Sequence, residues 1–259
     1  MNTTILAVGA LIVAIAQALA WTWQQRRHNA GIVDVVWACG VGFSAIWLAV
    51  WGDGAALPRL TLAVLGGAWG LRLAWHLWQR MRGEPEDGRY AQLRRRWGNA
   101  GGKWFLMFQF QAALVVVFAI PFVAVARNPQ ATAGVGWWLG VITWIVAVCG
   151  EAVADRQLAR FRAAPGNRGQ VCQTGLWRFS RHPNYFFEWL HWFAYVFLAI
   201  GSPLAIWAWS GPVVMYVFLR YLSGIPFTEA QALRTRGESY RRYQRTTPMF
   251  FPWFPKESP

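Results

Sequence analysis

The sequence predicts an all-α fold, a polytopic integral membrane bundle of about seven transmembrane helices, and three observations predict it. The chain of 259 residues is 56% hydrophobic and contains 19 Trp, whereas soluble domains run nearer half apolar. The apolar residues come in blocks of about 20, the length at which a helix rising about 1.5 Å per residue crosses a bilayer. The basic residues crowd into alternate connections between those blocks, the asymmetry expected of cytosolic loops. One membrane-embedded domain over 1–259 is the economical reading.

The first span, 4–23, follows only Met1, Asn2 and Thr3; lacking a basic leader, it is expected to be retained rather than cleaved. Further blocks at 31–51, 59–79, 104–126 and 135–154 are the next four spans. A sixth, 185–201, is short and turns at Gly201-Ser202-Pro203 into a seventh, 203–222, so these two are expected to form a tight helical hairpin. Pro121 and Pro212 fall inside spans, where neighbouring groups can satisfy the freed carbonyls.

Orientation follows from the Lys and Arg residues. Of the 25, two lie at Arg26 and Arg27, seven in 80–103, six in 155–183 and six in 223–259. The opposite loops hold only Arg59 and Arg127, and the spans Arg72 and Arg220. This bias puts the N-terminus outside and the C-terminus in the cytosol, in what is expected to be a bacterial inner membrane. The net charge of +14 therefore belongs to a membrane face or an anionic ligand, not to nucleic acid. Cys39, Cys149 and Cys172 have no metal-ligand spacing, so no metal is expected. No obligate protein partner is implied.

Depth then selects candidate residues. With this orientation, Asp34 lies one turn into the second span, His76 and Arg72 one and two turns into the third, and Glu151 one turn into the fifth. Glu188 and His191 lie one and two turns into the sixth. Arg72 and His76 are four apart and share a helix face. Charged groups at the centre of a span cost about 2.5–3.5 kcal/mol each, less toward the interface, so these side chains are expected to face one another or a water-filled hollow open to the cytosol. A buried Asp34–Arg72 pair of purely structural purpose is the bland alternative.

The connection DRQLARFRAAPGNRGQVCQTGLWRFSRHPNY, Asp155 to Tyr185, carries six Arg. Guanidinium groups grip phosphate in a planar fork. With Tyr240 and Tyr243 of the tail GESYRRYQRTTPMFFPW, spaced i, i+3, they could roof the mouth of such a hollow over a phosphate-rich nucleotide. There is no GxGxxG or GxxxxGK[ST], so the Rossmann and P-loop solutions are set aside.

The segment TGLWRFSRHPNYFFEW, with DRQLARFR and PGNRG before it and GESYRRYQRTTPMFFPW after it, resembles the C-terminal domain of the steroid 5-alpha-reductase family. The upstream NAGIVDVVWA and WGLRLAWHLWQRMRGEPEDGRYAQLRRRWG resemble its bacterial branch, so the likeness spans roughly 29–253. Isoprenylcysteine and phospholipid methyltransferases share the RHPxY signature more distantly.

The resemblance implies an integral membrane reductase that uses NADPH, with substrate-side helices in 1–130 and a cofactor-binding half in 131–259. It implies cofactor contacts from Asp155, Arg162, Asn184 and Tyr240, with Arg168, Arg178, Arg181, His182, Tyr185 and Tyr243 beside them. Glu188 matches the family's acidic position at the start of the sixth span. Animal members carry a Gln-Glu pair in the second helix and a Tyr in the third; here Asp34 stands for the Glu, while the third span offers Arg72 and His76 and no Tyr.

The catalytic set is therefore expected to be Asp34, Arg72, His76 and Glu188, reducing a carbon–carbon double bond conjugated to a carbonyl in a lipophilic small molecule. Asp34, if protonated, would donate to that carbonyl; if it pairs with Arg72, His76 becomes the donor. Two other readings compete: S-adenosylmethionine-dependent methyl transfer to a lipid or prenylated substrate, and a non-catalytic lipid-binding protein.

Overall fold

The computed structural model describes residues 2–83 and 85–256, and among them it is all-helical, with no strand. It divides into two compact units: 1–137 with 198–210, and 138–197 with 211–259.

The first unit opens with α1 (Thr3–Arg27), started by the Asn2 side chain accepting from the Thr4 amide at 3.1 Å. Gly9, Val13, Gln17, Ala20 and Gln24 form its buried stripe, spaced so that one face turns inward. Then come α2 (Ile32–Trp51) and α3 (Ala56–Gly83). Glycines decide how closely these two pack: a Cβ on Gly70 would stand 2.6 Å from the Gly42 Cα, so only bare backbones fit, as at small-residue interfaces between membrane helices.

A short amphipathic helix, α4 (Gly88–Trp97), and a long apolar one, α5 (Gly101–Ala126), complete the set. Gln109 of α5 donates to the Ala14 carbonyl of α1 at 3.3 Å. Trp104 is fully buried, and its indole donates to the Gly98 carbonyl at 3.0 Å, holding the end of α4 against the start of α5. At the other end of the unit the buried Asn128 amide donates to the carbonyls of Leu198 and Ile200 at 2.8 and 3.0 Å, which is why 198–210 returns to this unit.

The second unit contains most of α6 (Val135–Ala163), α7 (Pro183–Leu198), most of α8 (Ser210–Val217), α9 (Ile225–Arg236) and α10 (Glu238–Thr246). Gly150 of α6 lies under the Phe187 ring of α7, where an added Cβ would come within 2.4 Å. Trp189 of α7 donates to the Pro212 carbonyl at 3.0 Å, a contact that secures the proline-containing start of α8. Phe186, Trp189, Tyr216, Phe250 and Phe251 form an aromatic cluster with ring centroids 5.2–6.3 Å apart.

Among the described residues four helices, α1, α2, α5 and α6, are long and apolar enough to cross a membrane. The other three expected spans take different forms. The third is one helix of 28 residues with Arg59, Arg72 and His76 within it. The sixth is 16 residues long. The seventh is not one helix: a 3-10 turn over Ala205–Trp209, α8 and a π turn over Phe218–Leu222 share it. Gly211-Pro212 stands at its centre, and proline supplies no N–H for a continuous ladder.

Candidate functional site

Each unit carries one concentrated polar group. In the second unit it is built where the C-terminal turns of α6 meet the start of α7. Gln157 accepts from the Leu176 amide at 2.9 Å, and the Trp177 indole donates to the Ala154 carbonyl at 2.9 Å. The turn Gly175–Arg178 is thereby fastened to α6. Gly175 adopts φ +59, and a Cβ there would strike the Gln157 amide at 2.5 Å; both conditions demand glycine.

Fastening that turn delivers the RHPN segment to α6. Asn184 Nδ2 donates to Asp155 Oδ1 at 3.1 Å, while its Oδ1 accepts from the Tyr185 amide at 3.0 Å. The Tyr185 ring stacks on His182 with centroids 5.4 Å apart and planes 6° apart, and its hydroxyl meets Thr228 Oγ1 at 3.2 Å.

The centre of this group is Glu229 of α9, a residue the sequence reading passed over. Its carboxylate accepts from Arg181 Nε at 2.7 Å, His182 Nε2 at 3.2 Å, Tyr240 Oη at 3.3 Å and Gln244 Nε2 at 2.8 Å. Burial alone would raise its pKa, but the bonds and charges of His182 and Arg181 outweigh that and hold it at about 2. Burial holds the His182 pKa below its ordinary value, against the opposing pull of Glu229. Burial and then the Glu229 charge raise that of Tyr240. One signal was available: Glu229 is the lone acid between Glu188 and Glu238, in a tail otherwise crowded with Arg.

Two of the expected phosphate contacts are turned inward in this geometry. Arg181 and His182 are buried, at 8% and 2% exposed. Besides Glu229, the Arg181 guanidinium donates to the carbonyls of Gln244 and Thr247 at 3.0 and 2.8 Å. Both side chains are therefore internal braces between the start of α7 and the tail. Tyr243 is another: buried, it places its hydroxyl on the carbonyls of Trp177 and Ser180. Arg162, Arg168 and Arg178, in contrast, are exposed. Glu188 is half-buried in the second turn of α7; on the same face, His191 and Tyr195 are buried and share a hydrogen bond at 3.0 Å.

In the first unit the group forms around Asp34, in the first turn of α2. Asp34 does not take Arg72, the bland alternative, as its partner. Asp34 Oδ2 accepts from Arg89 Nη2 at 3.1 Å and Oδ1 from Tyr90 Oη at 2.6 Å, so its partners come from α4. The reason is local. Asp87 caps α4 by accepting from the Arg89 amide at 3.0 Å and also grips the Arg89 and Arg80 side chains at 3.1 and 3.0 Å. Glu86 accepts from the Ala30 amide at 2.7 Å and from Arg94 at 2.7 and 2.9 Å. These carboxylates lock α4 against the N-terminus of α2.

Tyr90 is 4% exposed; burial, and then the Asp34 charge, raise its pKa. Burial opposes the charge on Arg89, but Asp34, Tyr90 and Asp87 together hold it. A crevice beside Asp34 is lined by Asn29, Gly31, Leu77, Arg80, Met81, Pro85 and the carboxylates of Glu86 and Asp87. On α3, Arg72 is half-buried and His76 exposed. Arg89 and Tyr90 were missed because they lie in a connection, GEPEDGRYAQLRRRWG, whose charges resemble those of any basic cytosolic loop.

Among the described residues no group of three or more His, Cys, Asp or Glu could hold a metal. No solved structure matches the chain. An uncharacterized protein of Schizosaccharomyces pombe, C594.04c, is 26% identical over 284 aligned positions, covering 97% of this chain and 80% of the yeast protein. The family described as "Protein of unknown function (DUF1295)" matches residues 20–247. That match runs from the last turns of α1 to the end of α10, and the chain belongs to the DUF1295 family.

Proposed function

We propose that this protein is a membrane-embedded, NADPH-dependent reductase of a conjugated carbon–carbon double bond in a lipophilic, steroid-like or enone lipid substrate. On this reading the chain crosses the membrane about seven times, with its N-terminus outside and the Arg-rich connections in the cytosol. The observation that carries the reading is the Asp155–Asn184 bond at 3.1 Å. It joins two of the motif positions to which the steroid 5-alpha-reductase resemblance assigns cofactor contacts, although 29 residues separate them.

The donor set of the second unit suits a dinucleotide. Exposed Arg162, Arg168 and Arg178 offer charge to a diphosphate, Asn184 offers an oriented amide, and Tyr185 a flat ring. The cofactor would supply the hydride. Arg181, His182, Tyr240 and Tyr243 hold the segments that carry those contacts, rather than touching phosphate themselves.

In the first unit Tyr90 takes the part for which the third helix offers no tyrosine. Asp34 accepts from both Tyr90 and Arg89; with Arg89 left to hold the carboxylate, the Tyr90 hydroxyl would turn its one proton from Asp34 to an incoming substrate carbonyl and polarise it. A donor directed at the oxygen where charge develops stabilises the enolate formed by hydride addition. Arg72, His76 and Glu188 stay as secondary candidates for substrate contact.

Thermal stabilisation of the purified protein distinguishes this reading from the methyltransferase one. NADPH is expected to raise the melting temperature and S-adenosylmethionine to leave it unchanged. The reverse pattern would reject the reductase reading, and no shift with either would favour a non-catalytic protein.

A further inference from the structure

We infer that the first unit carries a selective site for an anionic phospholipid where α1, α4 and α5 meet. Two classes of cation stand near these helix ends. Arg80, Arg89 and Arg94 are neutralised by Asp87, Asp34 and Glu86. Arg26, Arg27, Arg95, Arg96 and Lys103 are exposed, and among the described residues their side chains make no hydrogen bond or ion pair.

Indole hydrogen bonds bring this second class together. Trp21 donates to the Gly101 carbonyl at 3.1 Å, joining the end of α1 to the start of α5. Trp104 donates to the Gly98 carbonyl at 3.0 Å, joining the end of α4 to the same place. Basic side chains on three joined helix ends give this surface a positive field that favours an anion beside it.

The surface beneath the cations identifies the anion as a lipid. On α5, Lys103 stands at the head of an outward stripe that continues through Leu106 and Phe110, which are 69% and 56% exposed. On α1, Arg26 heads a stripe continuing through Leu19 and Ile15, 64% and 51% exposed. Spacings of three, four and seven residues put each cation and its apolar neighbours on one helix face. A phosphate beside basic side chains, with hydrocarbon chains along the stripes below, satisfies both halves of the surface. A soluble nucleotide or a nucleic acid would satisfy only the upper half.

The test is titration of the detergent-solubilised full chain with phosphatidylglycerol, phosphatidylcholine or inorganic phosphate, with bound lipid counted by native mass spectrometry. Phosphatidylglycerol is expected to bind at least about tenfold more tightly than phosphatidylcholine, and the preference to shrink as salt is raised. Each basic residue beside an anionic surface contributes about fivefold. The combined Arg26→Gln, Arg96→Gln, Lys103→Gln variant should therefore lose about a hundredfold, while Arg26→Lys, Arg96→Lys, Lys103→Arg should keep the preference. Equal binding of the two lipids, a preference indifferent to salt, or selectivity surviving the triple Gln change would overturn the proposal. So would inorganic phosphate displacing the lipid at comparable concentration. The salt series on the unaltered protein decides the matter even if a variant folds poorly.

Discussion

Glu229 shows how much one side chain can organise. Arg181, only 8% exposed, depends on it for charge balance, and an uncompensated buried charge costs about 3–5 kcal/mol. Glu229→Ala is expected to destabilise the second unit by that amount, with Glu229→Gln milder because Gln can still accept hydrogen bonds; thermal unfolding of the two variants measures it. The pH dependence has a definite sign. The folded-state pKa values of Glu229 and His182 both lie below their ordinary 4.5 and 6.5. Each therefore contributes stability that is complete above its ordinary value and is lost as pH falls toward its folded one. Melting temperature should decline below about pH 6.5 as His182 protonates, and again between about pH 4.5 and 2 as Glu229 does. Glu229→Gln should shrink the second decline, leaving the share of other carboxylates with lowered values such as Asp87; if that decline survives unchanged, Glu229 is not among the titrating groups.

Helix packing rests on a few glycines. Gly70 faces backbone, the Gly42 Cα at 2.6 Å and its amide nitrogen at 2.9 Å, so neither neighbour can rotate away. Gly70→Ala should force α2 and α3 apart and cost about 1–3 kcal/mol, seen as a lower melting temperature. Gly67→Ala, which meets only the flexible Ile46 side chain at 3.1 Å, should cost less. These same elements show what could be read from the sequence. Block length and hydrophobicity located α1, α2, α5 and α6, because a membrane span depends on local composition. The broken seventh segment was not legible, since its 3-10 and π turns depend on how Gly211-Pro212 packs against Trp189. At the candidate sites, Asp155 and Asn184 were legible because they belong to a dense motif. Arg89, Tyr90 and Glu229 were not, because their roles arise from contacts across 55, 56 and 48 residues of chain that no local pattern records.

For the whole molecule, the charge asymmetry predicts a topology that labelling can check. With the three native cysteines replaced, Thr132→Cys should react with an impermeant thiol reagent added outside intact cells, and Arg95→Cys and Arg178→Cys should react only after permeabilisation. Labelling of all three from outside would overturn the orientation. The central claim is that a nicotinamide dinucleotide is held around Asn184, and calorimetric titration of NADPH into the purified protein tests it most directly. The account predicts saturable binding of one NADPH per chain, weakened at least about tenfold by Asn184→Ala or Arg162→Ala, with helical content unchanged in circular dichroism. No binding to the unaltered protein, or undiminished affinity in both variants, would contradict it.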